Sequence, residues 1–185
     1  GIVNTSATNL LTFNAGASSG ASSNTSFVNG PVRKLFNNAE SFIFPVGVTG
    51  TGDEPLTVDG ITAAGYDFTA EYSRVSGTSM SSSYNAPIQF VSGCEHWNLD
   101  KNAGPATGVN VTLSWDANSG CNANPYVTNP SSLSIGVLNG GTWDEAGLAG
   151  SFSVSTVKRT AITLFGAFTL GNVTGGSENS LPVMF

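Results

Sequence analysis

The chain has 185 residues, 39% of them apolar and only 10% charged, with a formal net charge of -6. Its six cations leave no basic footprint for a phosphate backbone, which argues against nucleic acid as a partner. No run approaches the roughly 18 apolar residues of a membrane-spanning helix, which argues against membrane insertion.

The length fits one domain with a sizeable core. With so little charge, the surface must be made polar by Ser, Thr and Asn, an extracellular style of surface. The chain opens on Gly1, so it reads as a processed chain or as a piece of something larger.

Residues 1–26 carry no charge and set short apolar clusters among small residues. They predict an N-terminal strand or extension, either the first strands of the body at 27–185 or β-helix-like coils that pack on a neighbour. GASSG at 16–20 matches a nucleophile elbow with Ser18 at its centre. That chemistry needs a helix after the turn, and ASSNTSFVNG cannot make one, so the stretch reads as a loop.

From residue 27 the period is two. SFVNGPVRK, SFIFPVG and PLTVDGI read as short strands, punctuated by Asn29-Gly30-Pro31 and Asp59-Gly60. TGTGDEPLTVDG also offers Asp53, Glu54 and Asp59 as hard oxygen ligands in a glycine-rich loop, a candidate calcium site without EF-hand spacing. Turn chemistry explains the same acids. YDFTAEY puts Tyr66, Phe68, Ala70 and Tyr72 on one face, and PIQFVSG follows as another strand.

GCEHWNLDK (93–101) crowds Cys94, Glu95, His96 and Asp100 into one stretch. Alternation splits it: Trp97 and Leu99 face the core, His96 and Asp100 face outward, and Glu95 lies near the strand's start within reach of water. His96 then reads as a lone exposed imidazole. Cys94 and Cys121 are the only cysteines and read as a disulfide. A zinc site from Cys94, His96 and Cys121 lacks the ligand spacing.

VNVTLSW alternates Val109, Val111, Leu113 and Trp115 against polar partners. SLSIGVL, GSFSVSTV and AITLFGAFTL complete the strands, with Asn139-Gly140-Gly141 as a turn. Tyr84, Tyr126 and Trp143 lie in or beside loops and form a candidate carbohydrate platform, since ring faces match the apolar face of a pyranose. In the competing reading Trp143 packs inward and each Tyr props a proline-containing loop. Glu95, Asp100, Asp116, Asp144 and Glu145 are glycosidase carboxylates by type only. Sequons at Asn4, Asn24, Asn110 and Asn172 are expected by chance in such a composition.

Nothing sustains a helical period over ten residues. The fold class is therefore all-β, an antiparallel sandwich of two packed sheets, immunoglobulin-like or jelly-roll-like.

The ordered string GPVRK, FIFPVG, FTAEY, GCEHWNLDK, VNVTLSWDANSGC, NGGTWDEAG, GAFTLG and LPV resembles a β-sandwich module of large secreted and cell-surface proteins of the Bacteroidetes, substrates of type IX secretion. The resemblance runs from about Phe27 to the end. It implies an extracellular address and a non-catalytic role in architecture or adhesion, with no catalytic residues to transfer.

The functional expectation is a non-enzymatic structural or adhesive building block, without cofactor unless calcium binds. Neighbouring copies would associate head to tail, one terminal segment (the apolar beginning or the closing SLPVMF) completing a sheet of the next. The alternative is a carbohydrate-binding module that grips polysaccharide with the loop aromatics.

Overall fold

The computed structural model describes residues 1–119, 121, 125–173, 179 and 181. In chain order the strands are β1 (Val3–Asn4), β2 (Leu11–Phe13), β3 (Val28–Asn29), β4 (Val32–Leu35), β5 (Phe42–Phe44), β6 (Val46–Val48), β7 (Gly52–Asp53), β8 (Leu56–Asp59) and β9 (Asp67–Ser73). A single helical turn, α1 (Gly77–Met80), precedes β10 (Ile88–Val91), β11 (His96–Ala103) and β12 (Val109–Ser114). The last strands are β13 (Leu133–Asn139), β14 (Thr142–Glu145), β15 (Leu148–Phe152), β16 (Thr156–Ile162) and β17 (Gly166–Val173).

These form an all-β sandwich. The larger sheet runs β14-β13-β17-β11-β9-β4-β2, with β10 continuing the line of β11 along β17, and the facing sheet runs β15-β16-β12-β8-β5. The chain crosses between them after β4, β8, β11, β12, β14 and β16, so each sheet is assembled from distant segments. One hydrophobic core joins them: Phe68, Ala70, Tyr72, Trp97 and Leu99 from the larger sheet meet Leu56, Val58, Val111 and Leu113 from the smaller. The alternation read in YDFTAEY and VNVTLSW is the observed burial.

Three features depart from the expected pattern. AITLFGAFTL is not one strand; the chain leaves β16 after Ile162 and re-enters as β17 at Gly166. The larger sheet is covered at one end on its outer face too, where Ile88, Val91, Trp143 and Ala167 make a second small core. A third sheet, β1-β3-β6-β7, is built largely from parallel pairs.

That third sheet holds the N-terminal segment. β1 pairs with β3 and β3 with β6, all parallel, so Val3, Val28 and Val46 stack in register. β2 lies parallel on β4 at the edge of the larger sheet. Residues 1–26 are thus both strands of the body and one β-helix-like coil laid over it.

Lys34 fixes this coil. It sits on the inward side of β4, fully buried, and its Nζ donates to Asn14 O (2.9 Å), Ala17 O (2.8 Å) and Glu40 Oε1 (3.0 Å). The ammonium also lies 5.4 Å and 5.2 Å from the ring centres of Phe36 and Phe42, within cation–π range.

Candidate functional site

The feature most out of keeping with a closed sandwich is the outer side of the N-terminal coil. Val3 N donates to Phe27 O at 3.0 Å and Thr5 N to Asn29 O at 3.1 Å. By strand alternation the main-chain N–H and C=O of Asn4, between them, point away from β3 toward solvent. β2 is likewise the last strand of its sheet. Because β1 and β2 each stack on the body from the same side of one coil, the coil ends in two open strand edges.

The other end of the parallel stack is closed, since β6 is covered by β7 in an antiparallel pair turned at Gly50. Between the open edges lies an apolar groove of about 290 Å³, lined by Val3, Leu11, Phe13, Phe27, Val28 and Pro45 among others. Ile2 is 41% and Val3 48% exposed.

Side chains continue the ladder. Asn29 Nδ2 donates to Asn4 Oδ1 at 2.9 Å, one asparagine stacked on the next as Val3 stacks on Val28. The corners are built alike: Ser6 bridges Asn9 and Ser23 bridges Ser26, each closed by main-chain bonds and a Ser–Thr hydroxyl contact. The signal lay in the sequence as Val-Asn at 3–4 and again at 28–29.

Edge strands are ordinarily guarded by charge, proline, bulges or a covering loop. Here β5 is covered through Ser19, whose hydroxyl donates to Ile43 O at 2.7 Å, and β14 is bridged from Tyr84 to Trp143. β15 is exposed, with Leu148 at 65%, but its pairing is broken by a bulge between Ala149 and Phe152. β1 and β2 have none of these guards, and the first charged residue of the chain is Arg33.

The remaining sequence candidates disperse. Trp143 is fully buried, its Nε1 donating to Ser81 O at 3.1 Å, and Tyr126 is buried with its hydroxyl on Ser92. Only Tyr84 is partly exposed, so the candidate aromatic platform does not form, and Trp143 follows the competing reading: strand β14 turns its tryptophan into the second core and the 125–128 segment turns its tyrosine inward. Asp53, Glu54 and Asp59 do not converge either. Asp59 accepts from Lys158 (2.7 Å) and Asn110 (2.7 Å), whereas Glu54 is buried and bonded to the Ser119 hydroxyl. Among the described residues no group of three or more His, Cys, Asp or Glu side chains is placed to hold a metal ion.

His96 is not exposed. The outer-face segment before β10 lies over it, and its Nδ1 donates to Val75 O at 2.8 Å. Ser18 is exposed in the loop after β2. Cys94 and Cys121 form a disulfide, Cα–Cα 5.6 Å, which removes both thiolates from metal chemistry. Asp144 accepts from Asn85 and Asn139, and Glu145 pairs with Arg159 at 3.0 Å. The sequon asparagines Asn24, Asn110 and Asn172 are engaged in side-chain hydrogen bonds. Of the closing SLPVMF only Leu181 is among the described residues, and it is buried.

Two of the proposed carboxylates do meet, but inside the protein. Glu95 stands at the break between β10 and β11, fully buried rather than near water, with Oε2 accepting from Tyr72 Oη at 2.6 Å and 3.6 Å from Arg74. Its Oε1 has no hydrogen-bond partner among the described residues. Glu54 and Asp116 complete the cluster, and Asn24 of the N-terminal coil reaches into it, donating to Asp116 Oδ2 at 2.9 Å. Burial, followed by the neighbouring charge of Glu95, pushes the Glu54 carboxyl far up. Burial also raises Glu95, against the hydrogen bond of Tyr72 and the charge of Arg74. The cluster lies beside the disulfide, since Glu95 follows Cys94 in the chain. Compared with protein-family models, curated proteins and solved structures, the chain matches none.

Proposed function

We propose that the protein is a non-catalytic structural or adhesive building block of a bacterial cell-surface protein or fibre, and that it joins its neighbours by strand addition at the open N-terminal coil. The observation that carries this reading is the pair of unguarded, uncharged edges β1 and β2, each laid parallel on the body, with the far end of the β1-β3-β6 stack closed by β7. The occupant is a strand pair contributed by a neighbouring copy, extending the ladder that Val3 and Asn4 begin.

Main-chain hydrogen bonds give such a contact its strength, and a heterologous interface of this kind propagates instead of closing. The N-terminal segment is the receiving edge in this scheme, because its own strands are already engaged with β3 and β4. The disulfide and the hydroxyl- and amide-rich surface support an oxidising, extracellular address. The motif order resembling modules of secreted Bacteroidetes proteins supports the same address.

The test replaces Asn4→Asp and Thr12→Lys together. The aspartate still accepts from Asn29, and Thr12 is exposed, so the fold is retained while each open edge gains a charge. Wild-type protein should sediment as concentration-dependent oligomers and the double variant as a monomer with an unchanged melting temperature. Oligomers that persist in the variant would refute the edge as the contact.

A further inference from the structure

A second surface has the features of a ligand site. Across the outer face of the larger sheet runs an open trough of about 210 Å³. Its floor is made by the outward side chains of β9 and β11: Thr69 and Glu71 on one, Asn98, Asp100 and Asn102 on the other. Its wall is the N-terminal coil, through Ala7 and Leu10, together with Pro31. The wall is held in place, since Thr5 Oγ1 donates to Pro31 O at 2.8 Å.

The floor has a fixed part and an unengaged part. Asn102 Nδ2 donates to Asp67 Oδ1 (3.0 Å) and Thr69 Oγ1 (2.9 Å), and Asp67 is gripped by Arg33. Glu71, Asn98 and Asp100, by contrast, have no side-chain hydrogen bond or ion pair among the described residues. Elsewhere the acids are mostly engaged: Glu40 with Lys34, Asp59 with Lys158, Glu145 with Arg159. The register sets Glu71 opposite Asn98 and Asp100 opposite Thr69, so two carboxylates lie diagonally with an amide between them. Directly opposed residues on one face stand roughly 5 Å apart and diagonal ones roughly 7–8 Å, within the span of one ligand.

An anion is repelled here by Glu71 and Asp100, and Arg33, opposite Thr69 on β4, is already committed to Asp67. Carboxylates accept hydrogen bonds and an asparagine amide both donates and accepts, the combination that reads neighbouring hydroxyls. The aliphatic wall of Leu10 and Pro31 suits the C–H face of a sugar ring. We propose that this trough binds a neutral, hydroxyl-rich saccharide unit. The site is independent of strand addition and supplies an adhesive module with its ligand class.

The test is titration calorimetry in EDTA with neutral oligosaccharides of glucose, mannose and xylose, an alginate oligosaccharide as the anionic control and a chitosan oligosaccharide as the cationic one. At least one neutral saccharide should bind and alginate should not. Glu71→Gln and Asp100→Asn should each weaken binding about tenfold, with melting temperatures unchanged; Asn98→Ala, which carries no charge change, should weaken it as well. The Asn4→Asp/Thr12→Lys variant should bind like wild type, which separates this site from assembly. Absence of binding to every neutral saccharide, binding confined to chitosan, or wild-type affinity in the three floor variants would overturn the proposal.

Discussion

Replacing Lys34 by Met tests how the N-terminal coil is held. The thioether side chain fills much of the same volume, so core packing against Phe36 and Phe42 is largely kept while the ammonium is lost. Three hydrogen bonds then disappear, to Asn14 O, Ala17 O and Glu40. Breaking a buried ion pair costs about 3–5 kcal/mol. The Glu40 side chain keeps 19% exposure and still accepts from Gly16 N and Asn37 N, so the lower end, about 3 kcal/mol, applies. For a chain of this size that lowers the melting temperature by about 6–12 °C. Urea unfolding should show an earlier midpoint with an unchanged slope, and amide exchange should quicken first across residues 14–17. Adding Glu40→Gln to Lys34→Met should cost little more, because the two share one interaction. A Lys34→Met protein within about 0.5 kcal/mol of wild type would refute the anchoring role.

Three further outcomes follow from the interior. Glu54 and Glu95 hold protons more tightly folded than unfolded, where their ordinary value is 4.5, so their contribution is full below that value and is lost as pH rises through the raised folded values. Melting temperature should fall from pH 5 to 9, and Glu54→Gln should flatten the decline; a rise over that range would contradict the assignment. Cys94→Ser with Cys121→Ser opens a loop of 27 positions and should cost about 3.5 kcal/mol in denaturant unfolding. Trp143→Ala should cost about 3–5 kcal/mol by emptying the second core, and a variant of wild-type stability would show that the ring is not buried there.

The fold class was legible because period two is a local property: Phe68, Ala70 and Tyr72, or Val109, Val111 and Leu113, declare one face without help from the rest of the chain. What lay hidden was long-range. His96 alternates outward as expected, but whether an outward face meets water depends on a covering segment from residues 75–91. Trp143 turned inward for the same reason, toward Ile88 and Val91. Lys34 falls on the inward side of β4 by strict alternation, yet a cation there makes sense only once the carbonyls of Asn14 and Ala17 are known to lie above it. The parallel stacking of β1 on β3 required recognising Val-Asn twice across a long interval, with nothing local to mark the pairing as parallel. Glu54 read as a loop ligand because its neighbours are turn residues; its partner, Ser119, is contributed by a distant loop.

The most direct test of strand addition is analytical ultracentrifugation of the intact chain across a range of concentrations, beside the Asn4→Asp/Thr12→Lys variant. Concentration-dependent growth of the wild-type species, abolished in a variant that remains folded, is the result expected of an open coil that receives the next copy. A wild-type chain that stays monomeric at every concentration, or a variant that assembles as well as wild type, would contradict it.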